Sequence, residues 1–69
     1  MNNIIPLLVE SVKSQVQDSQ IIKELTEKLE QKKYRQAFLI FNNLKESGKW
    51  VLNESDEKHL EEFWWEYAN

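Results

Sequence analysis

The stretch YRQAFLIFNNLKESG, residues 34–48, decides the fold of this 69-residue chain. On a helix at about 100° per residue its apolar side chains cover an arc roughly 160° wide, and Leu39 lies outside that arc. An arc this broad is typical of a helix with several neighbours. Gly48 follows where helices often end on a left-handed residue. The stretch therefore predicts a central helix of a bundle. The residues of the arc are Tyr34, Ala37, Phe38, Ile40, Phe41 and Leu44.

Two amphipathic segments come before this stretch. On one continuous helix their apolar arcs would be offset by roughly 120° near residue 18, so both stripes could not face one core. We therefore predict a break there, with Asp18 or Ser19 capping the second helix and Asn2 or Asn3 capping the first. The apolar residues are Ile4, Ile5, Leu8, Val9, Val12 and Val16 in the first segment and Ile21, Ile22, Leu25 and Leu29 in the second.

The remaining boundaries are less strongly marked. QKKY, residues 31–34, contains neither Gly nor Pro. A tight antiparallel turn is our first prediction there, and a continuous helix is the alternative. In KWVLNES, residues 49–55, the apolar residues Trp50, Val51 and Leu52 are expected to tuck under the bundle. Asn53 or Ser55 would then cap the last helix, with the acidic residues 56 and 57 at its positive end.

Residues 21–44 resemble a tetratricopeptide repeat in their spacing. In the second half of this segment, KKYRQAFLIFNNL, Tyr34, Ala37 and Phe41 match the positions of the repeat's second helix. Leu25 departs from the pattern, which has a small residue in the first helix. The resemblance implies a packed pair of helices and no particular function, because about three repeats are needed to bury their faces.

Composition and length predict the fold class: all-α, a compact bundle of three to four short helices forming a single domain over residues 1–69. One Gly and one Pro disfavour a hairpin-rich β fold. The absence of Cys removes disulfides and thiolate chemistry and suits a cytoplasmic protein. No apolar run approaches the ~20 residues that cross a bilayer, and no basic signal-peptide start is present, so we expect no membrane association.

The charge is distributed unevenly along the chain. The formal net charge is −3, yet residues 54–69 contain six acidic residues against Lys58 alone, a net charge of −5. Such an acidic end would repel phosphate. Weak nucleic-acid binding is therefore a minor alternative, through a basic cluster with one aromatic residue: Lys28, Lys32, Lys33, Tyr34 and Arg35.

Few residues suggest catalysis or metal binding. His59 is the one imidazole of the chain, and Asp56, His59 and Glu62 follow at helical spacing. A carboxylate and an imidazole three residues apart form half of a di-iron motif, which requires a second such motif and further Glu residues. A half-exposed histidine among acidic neighbours explains the same pattern. No Gly-rich phosphate loop or Gly-x-Ser-x-Gly turn is present. We therefore predict no enzyme activity, no catalytic residue, no metal and no cofactor.

The C-terminal stretch HLEEFWWEYAN, residues 59–69, contains one tryptophan that the helical stripe does not accommodate. On a helix Phe63, Trp64 and Tyr67 lie within roughly 60° of Leu60, whereas Trp65 falls near 140°. Exposed Trp ringed by polar residues is typical of protein interfaces. The predicted partner-binding residues are Trp65, Glu61, Glu62, Glu66, Lys58, Trp50 and Leu39.

These observations favour a small non-enzymatic protein-binding factor of the regulator, inhibitor or immunity-protein type. Its partner would be a protein with a basic or apolar surface. The alternative is an obligate homo-oligomer in which apolar residues off the main stripes, Leu7 and Leu39 among them, pack between copies. Trp65 packed against its own first helix is a third, purely structural interpretation.

Overall fold

The computed structural model describes residues 3–69, which form four α-helices followed by one π-helical turn. These residues include no β-strand, and the predicted all-α bundle is confirmed. The described part of the chain measures 28 × 27 × 19 Å. The elements are α1 (Ile4–Gln15), α2 (Ser19–Glu30), α3 (Tyr34–Glu46), α4 (Glu54–Phe63) and the π-helical turn (Trp64–Ala68).

The helices pack in a ring around one core. Helix α1 contacts α2 and α4, α2 contacts α3, and α3 contacts the π-helical turn that continues α4. Phe41 lies at the centre, where its ring centroid is 5.5 Å from that of Trp50 and 5.5 Å from that of Phe63. The other buried apolar side chains come from every helix: Ile4, Leu8, Val12, Val16, Leu25, Ala37, Leu44, Leu60 and Ala68.

The predicted break between the first two helices is confirmed. Helix α1 ends at Gln15, and α2 begins after Asp18. The Asp18 carboxylate accepts hydrogen bonds from the backbone N–H of Gln20 (3.0 Å) and Ile21 (3.4 Å), so it is the N-cap. Asn3 occupies the corresponding position of α1 without a side-chain hydrogen bond, and Asn2 lies outside the described residues.

Helices α2 and α3 are separate, which confirms the predicted tight turn over the alternative of a continuous helix. A lysine in the left-handed conformation occupies the turn. Lys32 has φ of 59°. The N–H of Lys32 bonds to the carbonyl of Leu29 (3.1 Å), and the N–H of Lys33 bonds to the carbonyl of Lys28 (2.8 Å). This pair of bonds is a Schellman ending, which usually places Gly at the left-handed position. The sequence carries no such Gly here, which is why the boundary was weakly marked.

The connector between α3 and α4 requires two corrections. Gly48, with φ of 78°, ends α3 as predicted. Trp50, however, is only 1% exposed, so it belongs to the core, and its prediction as a partner-binding residue is wrong. Val51 was expected to tuck under the bundle, yet it is 70% exposed. Trp50 and Val51 are neighbours on a non-helical connector, and only the Trp50 side chain faces the core.

Helix α1 holds the connector in place. The side-chain amide of Gln15 both donates to the carbonyl of Val51 (2.9 Å) and accepts from its N–H (2.8 Å). One turn earlier on α1, the Ser11 hydroxyl accepts from the Trp50 indole Nε1–H (3.0 Å) and donates to Asp56 Oδ2 (2.8 Å). These bonds satisfy the polar atoms that would otherwise oppose burial of the indole.

Asn53, rather than Ser55, caps α4. The Asn53 side chain accepts from the N–H of Asp56 (2.7 Å), and Asp56 Oδ2 accepts from the N–H of Asn53 (3.4 Å), which together form a capping box. Asp56 is therefore buried at the point where α1, the connector and α4 meet.

Candidate protein-binding surface

Residues 54–68, which comprise α4 and the π-helical turn, form one amphipathic element whose inner face matches the predicted stripe. Leu60 and Phe63 are buried, and Trp64 and Tyr67 are half-buried. The ring centroids of Trp64 and Phe38, on α3, are 4.9 Å apart. Trp64 therefore packs within the bundle, as the helical spacing predicted.

The π-helical turn widens the end of this element. The N–H of Asn69 bonds to the carbonyl of Trp64 at 2.7 Å, five residues back. Ala68 becomes buried, and its carbonyl accepts from Arg35 Nε on α3 (3.2 Å). The periodicity of the sequence does not reveal this change of pitch, because Tyr67 lies on the inner side under either helix type.

Trp65 lies on the outer side of the same element and is 64% exposed. The interpretation that it packs against α1 is therefore wrong for this structure. The three tryptophans have three different environments, since Trp50 is buried and Trp64 is half-buried. A large aromatic surface left in water at one site of so small a bundle is the most unusual feature of its exterior.

The structure brings several of the predicted partner-binding residues together around Trp65. Lys58, Glu61 and Glu66 are exposed, and they lie within two helical turns of Trp65 on the same element. Lys58, Glu61, Trp65 and Glu66 form what we term the acidic-aromatic face. Glu62 is half-buried and belongs to the edge of this face.

Leu39 is the predicted residue that lies on a different helix. It is 55% exposed on α3. Leu39 directly follows Phe38, just as Trp65 directly follows Trp64, and Phe38 and Trp64 contact each other. Leu39 and Trp65 are therefore the exposed sequence neighbours of two residues that contact each other where α3 meets the C-terminal element.

A depression of about 370 Å³, which we term the α3–α4 groove, runs along this junction. Its apolar lining is Phe38, Leu60 and Trp64. Helix α3 contributes Asn42 and Lys45 to one wall, and α4 contributes Glu57 and Glu61 to the other. Glu61 belongs to both the groove and the acidic-aromatic face, so the two are continuous.

A second, wider depression of about 540 Å³ lies on the far side of the same two glutamates. It is lined by Glu54, Ser55, Glu57, Lys58 and Glu61. Glu57 and Glu61 therefore form an acidic ridge between two concave surfaces. Together the two depressions are lined by three carboxylates, with Glu54 as the third, and by two cations, Lys45 and Lys58.

The other predicted chemistries occupy different parts of the surface. His59 is half-buried, and the Asp56 carboxylate that precedes it is held by Ser11 and Asn53. No group of three metal-binding side chains occurs within residues 3–69. In the basic cluster, the Tyr34 ring packs against Phe63 (6.1 Å between centroids) and Tyr67 (5.0 Å).

Comparisons with known proteins assign no role to these residues. The sequence matches no protein-family model and no curated protein, and no solved structure matches the chain. Among residues 3–69, no helix has both the length and the apolar content needed to span a bilayer.

Proposed function

We propose that this protein is a small non-enzymatic binding factor, of the regulator, inhibitor or immunity-protein type, that recognises a partner protein through the acidic-aromatic face. The observation that carries the proposal is the exposure of Trp65 beside Glu61 and Glu66. Tryptophan is strongly enriched among residues that dominate binding energy, and it is uncommon in isolation on a surface. Leu39 would extend the contact across α3.

The charges around Trp65 suggest the chemistry of the partner. Residues 54–69 carry a net charge of −5, and Glu61 and Glu66 are exposed beside the indole. A partner with a basic surface would be attracted at long range by these carboxylates, and burial of the indole would then supply affinity. Association should therefore slow as salt is added, while the dissociation rate should depend mainly on Trp65.

A non-enzymatic role and a cytoplasmic location are parts of the same proposal. The single imidazole, His59, follows Asp56 by three residues, and the Asp56 carboxylate is already bonded to Ser11. The absence of Cys suits a reducing compartment. A purified partner is the direct way to test these points, because binding without turnover of the partner distinguishes a factor from an enzyme.

The proposal is tested by affinity capture from the source cells with wild-type protein and with Trp65→Ala, followed by purification of each captured protein and measurement of its Kd. Trp65→Ala should weaken binding by at least ~1–2 kcal/mol, which is about 5–30-fold, because the indole is removed from the interface. Its free energy of unfolding should change by no more than ~0.5 kcal/mol, since the side chain is largely in water.

Val51→Ala is the matched control, because Val51 is an exposed apolar residue on the connector. It should bind the captured partner as the wild type does. A partner that loses no affinity with Trp65→Ala would contradict the proposal. Unfolding of Trp65→Ala would also contradict it, because the residue would then be part of the core.

The homo-oligomer is the second candidate, favoured by the exposure of Leu7 (51%) and Leu39 on different helices. Sedimentation of the purified protein distinguishes the two functions. A mass that rises with concentration, and that Leu7→Ala or Leu39→Ala reduces, would favour self-association.

A further inference from the structure

We infer that the partner contributes a basic amphipathic helix, which lies in the α3–α4 groove with its apolar stripe on Phe38, Leu60 and Trp64 and its cations against Glu57 and Glu61. This inference rests on the proposed function and specifies the shape and charge of the partner. An apolar-floored groove between two helices, with polar walls, is the type of site into which an amphipathic helix docks.

The distribution of charge selects a basic occupant. Glu57 and Glu61 line the α4 wall, and both also face the neighbouring depression, where Glu54 adds a third carboxylate. Lys58 and Lys45 are the only cations that line either depression. An acidic helix would place carboxylates against this ridge, and like charges brought together at an interface are strongly unfavourable.

The spacing of the groove residues matches the repeat of an α-helix. Glu57 and Glu61 are four residues apart on α4 and rise about 6 Å along its axis. Leu60 and Trp64, the first residue of the π-helical turn, are also four residues apart. A partner helix with cations four residues apart, and with an adjacent apolar pair at the same interval, presents the complementary pattern. The groove residues of the C-terminal element run from Glu57 to Trp64, which is about 10 Å at the helical rise, so about two turns of a partner helix would occupy the groove.

The wall contributed by α3 adds a further requirement. Asn42 and Lys45 lie opposite the acidic ridge. The flank of the bound helix that faces them should therefore carry neutral or acidic side chains. The preferred occupant is basic on one flank, apolar in the middle and neutral or acidic on the other.

The inference is tested with three fluorescent synthetic peptides of ~18 residues, built on the helix repeat. The first has a Leu stripe, a Lys flank and a Gln flank, the second replaces every Lys by Glu, and the third scrambles the first. Fluorescence anisotropy gives each Kd. The Lys peptide should bind at least about tenfold more tightly than either of the others, and added salt should weaken its binding.

Glu61→Lys should weaken binding of the Lys peptide about tenfold and should improve binding of the Glu peptide, because it reverses the charge of the ridge. Glu61→Gln provides a milder second variant. Glu27→Lys is the matched control: it makes the same change of charge on α2, which does not line the groove, and should alter the Kd by less than about threefold because distant exposed charges are screened.

The three indole N–H signals in a two-dimensional NMR spectrum locate the bound peptide. The signal of Trp64 should move on titration, whereas that of Trp50 should stay in place because its indole is buried and bonded to Ser11. Single Trp→Phe variants assign the signals. Three results would each overturn the inference. The first is equal affinity for the Lys and Glu peptides, the second is an equal loss of affinity with Glu61→Lys and Glu27→Lys, and the third is a Trp64 signal that does not move.

Failure of this inference is distinguishable from failure of the proposed function. A purified partner that needs Trp65 but tolerates Glu57→Lys, a change in the groove and outside the acidic-aromatic face, would leave the proposed function standing and refute the groove as its site. A Trp64 signal that moves with protein concentration in the absence of peptide would assign the groove to a second copy of the chain and would also refute the inference.

Discussion

Replacing Ser11 with Ala should destabilise the fold through one hydroxyl that connects three parts of the chain. Ser11 Oγ accepts from Trp50 Nε1 (3.0 Å) and donates to Asp56 Oδ2 (2.8 Å). Ser11→Ala would leave the indole N–H of Trp50 without a partner, at a position that is essentially closed to water. It would also remove a donor from the buried Asp56 carboxylate.

The expected loss of stability is about 2–3 kcal/mol. An unsatisfied buried N–H costs about 1–3 kcal/mol, and a lost hydrogen bond to a charged group adds roughly 1.5–3 kcal/mol where water cannot replace it. The higher helix propensity of Ala returns about 0.5 kcal/mol, and partial access of water to Asp56 reduces the second contribution. A domain of this size has roughly 3–10 kcal/mol of total stability, so the variant should lose a large fraction of it.

Urea unfolding followed by circular dichroism measures this loss, and the corresponding drop in Tm should be about 10–20 °C. Ser14→Ala is the matched control on the same helix. Its hydroxyl bonds only to the carbonyl of Ser11 (2.7 Å), and the side chain is exposed. Ser14→Ala should therefore leave stability within ~0.5 kcal/mol of the wild type.

A double-mutant cycle with Trp50→Phe isolates the indole hydrogen bond. In the Trp50→Phe background no N–H needs an acceptor, so Ser11→Ala should cost at least ~1 kcal/mol less than in the wild type. The role assigned to this hydroxyl would be refuted if Ser11→Ala and Ser14→Ala lowered the free energy of unfolding equally. It would also be refuted if Trp50→Phe did not change the loss caused by Ser11→Ala.

Two further changes test the helix ends by the same urea assay. Lys32→Gly should stabilise the protein by up to ~1 kcal/mol, because Gly relieves the left-handed strain of roughly 1–2 kcal/mol while adding entropy to the unfolded chain; a loss of stability would contradict the Schellman assignment. Asn53→Ala should cost ~1 kcal/mol by removing the cap of α4, whereas Ser55→Ala should cost little; equal effects would show that Asn53 is not the cap.

Local pattern was enough to predict the helices and most of their ends. The phase jump between the first two apolar stripes required a break, and Asp18 caps the helix that follows it. Gly48 follows the end of α3 because it adopts a left-handed φ without a Cβ, and Asn53 precedes α4 because its side-chain oxygen caps the helix. Such features depend on interactions within about one helical turn, so they can be read from neighbouring residues alone.

The candidate surface was predictable in part for the same reason. Helical spacing placed Trp65 off the stripe of Leu60, Phe63 and Trp64, and its side chain is exposed. Helical spacing could not show that Phe38 would contact Trp64. The path of the connector between α3 and α4 depends on its hydrogen bonds to Gln15 and Ser11 of α1, which are distant in sequence. The α3–α4 groove was accordingly not anticipated.

By itself, therefore, the amino-acid sequence determined the all-α class and the break near residue 18. It also narrowed the caps of α1, α2 and α4 to two candidates each and placed Trp65 off the apolar stripe, because each of these features depends on backbone geometry over a few residues. Tertiary structure alone decided that Trp50 is buried and that Ser11 joins it to Asp56. The physical reason is distance along the chain, since Ser11 lies 39 residues from Trp50 and 45 from Asp56. Atoms so far apart in sequence find their hydrogen-bond partners only when the helices pack together.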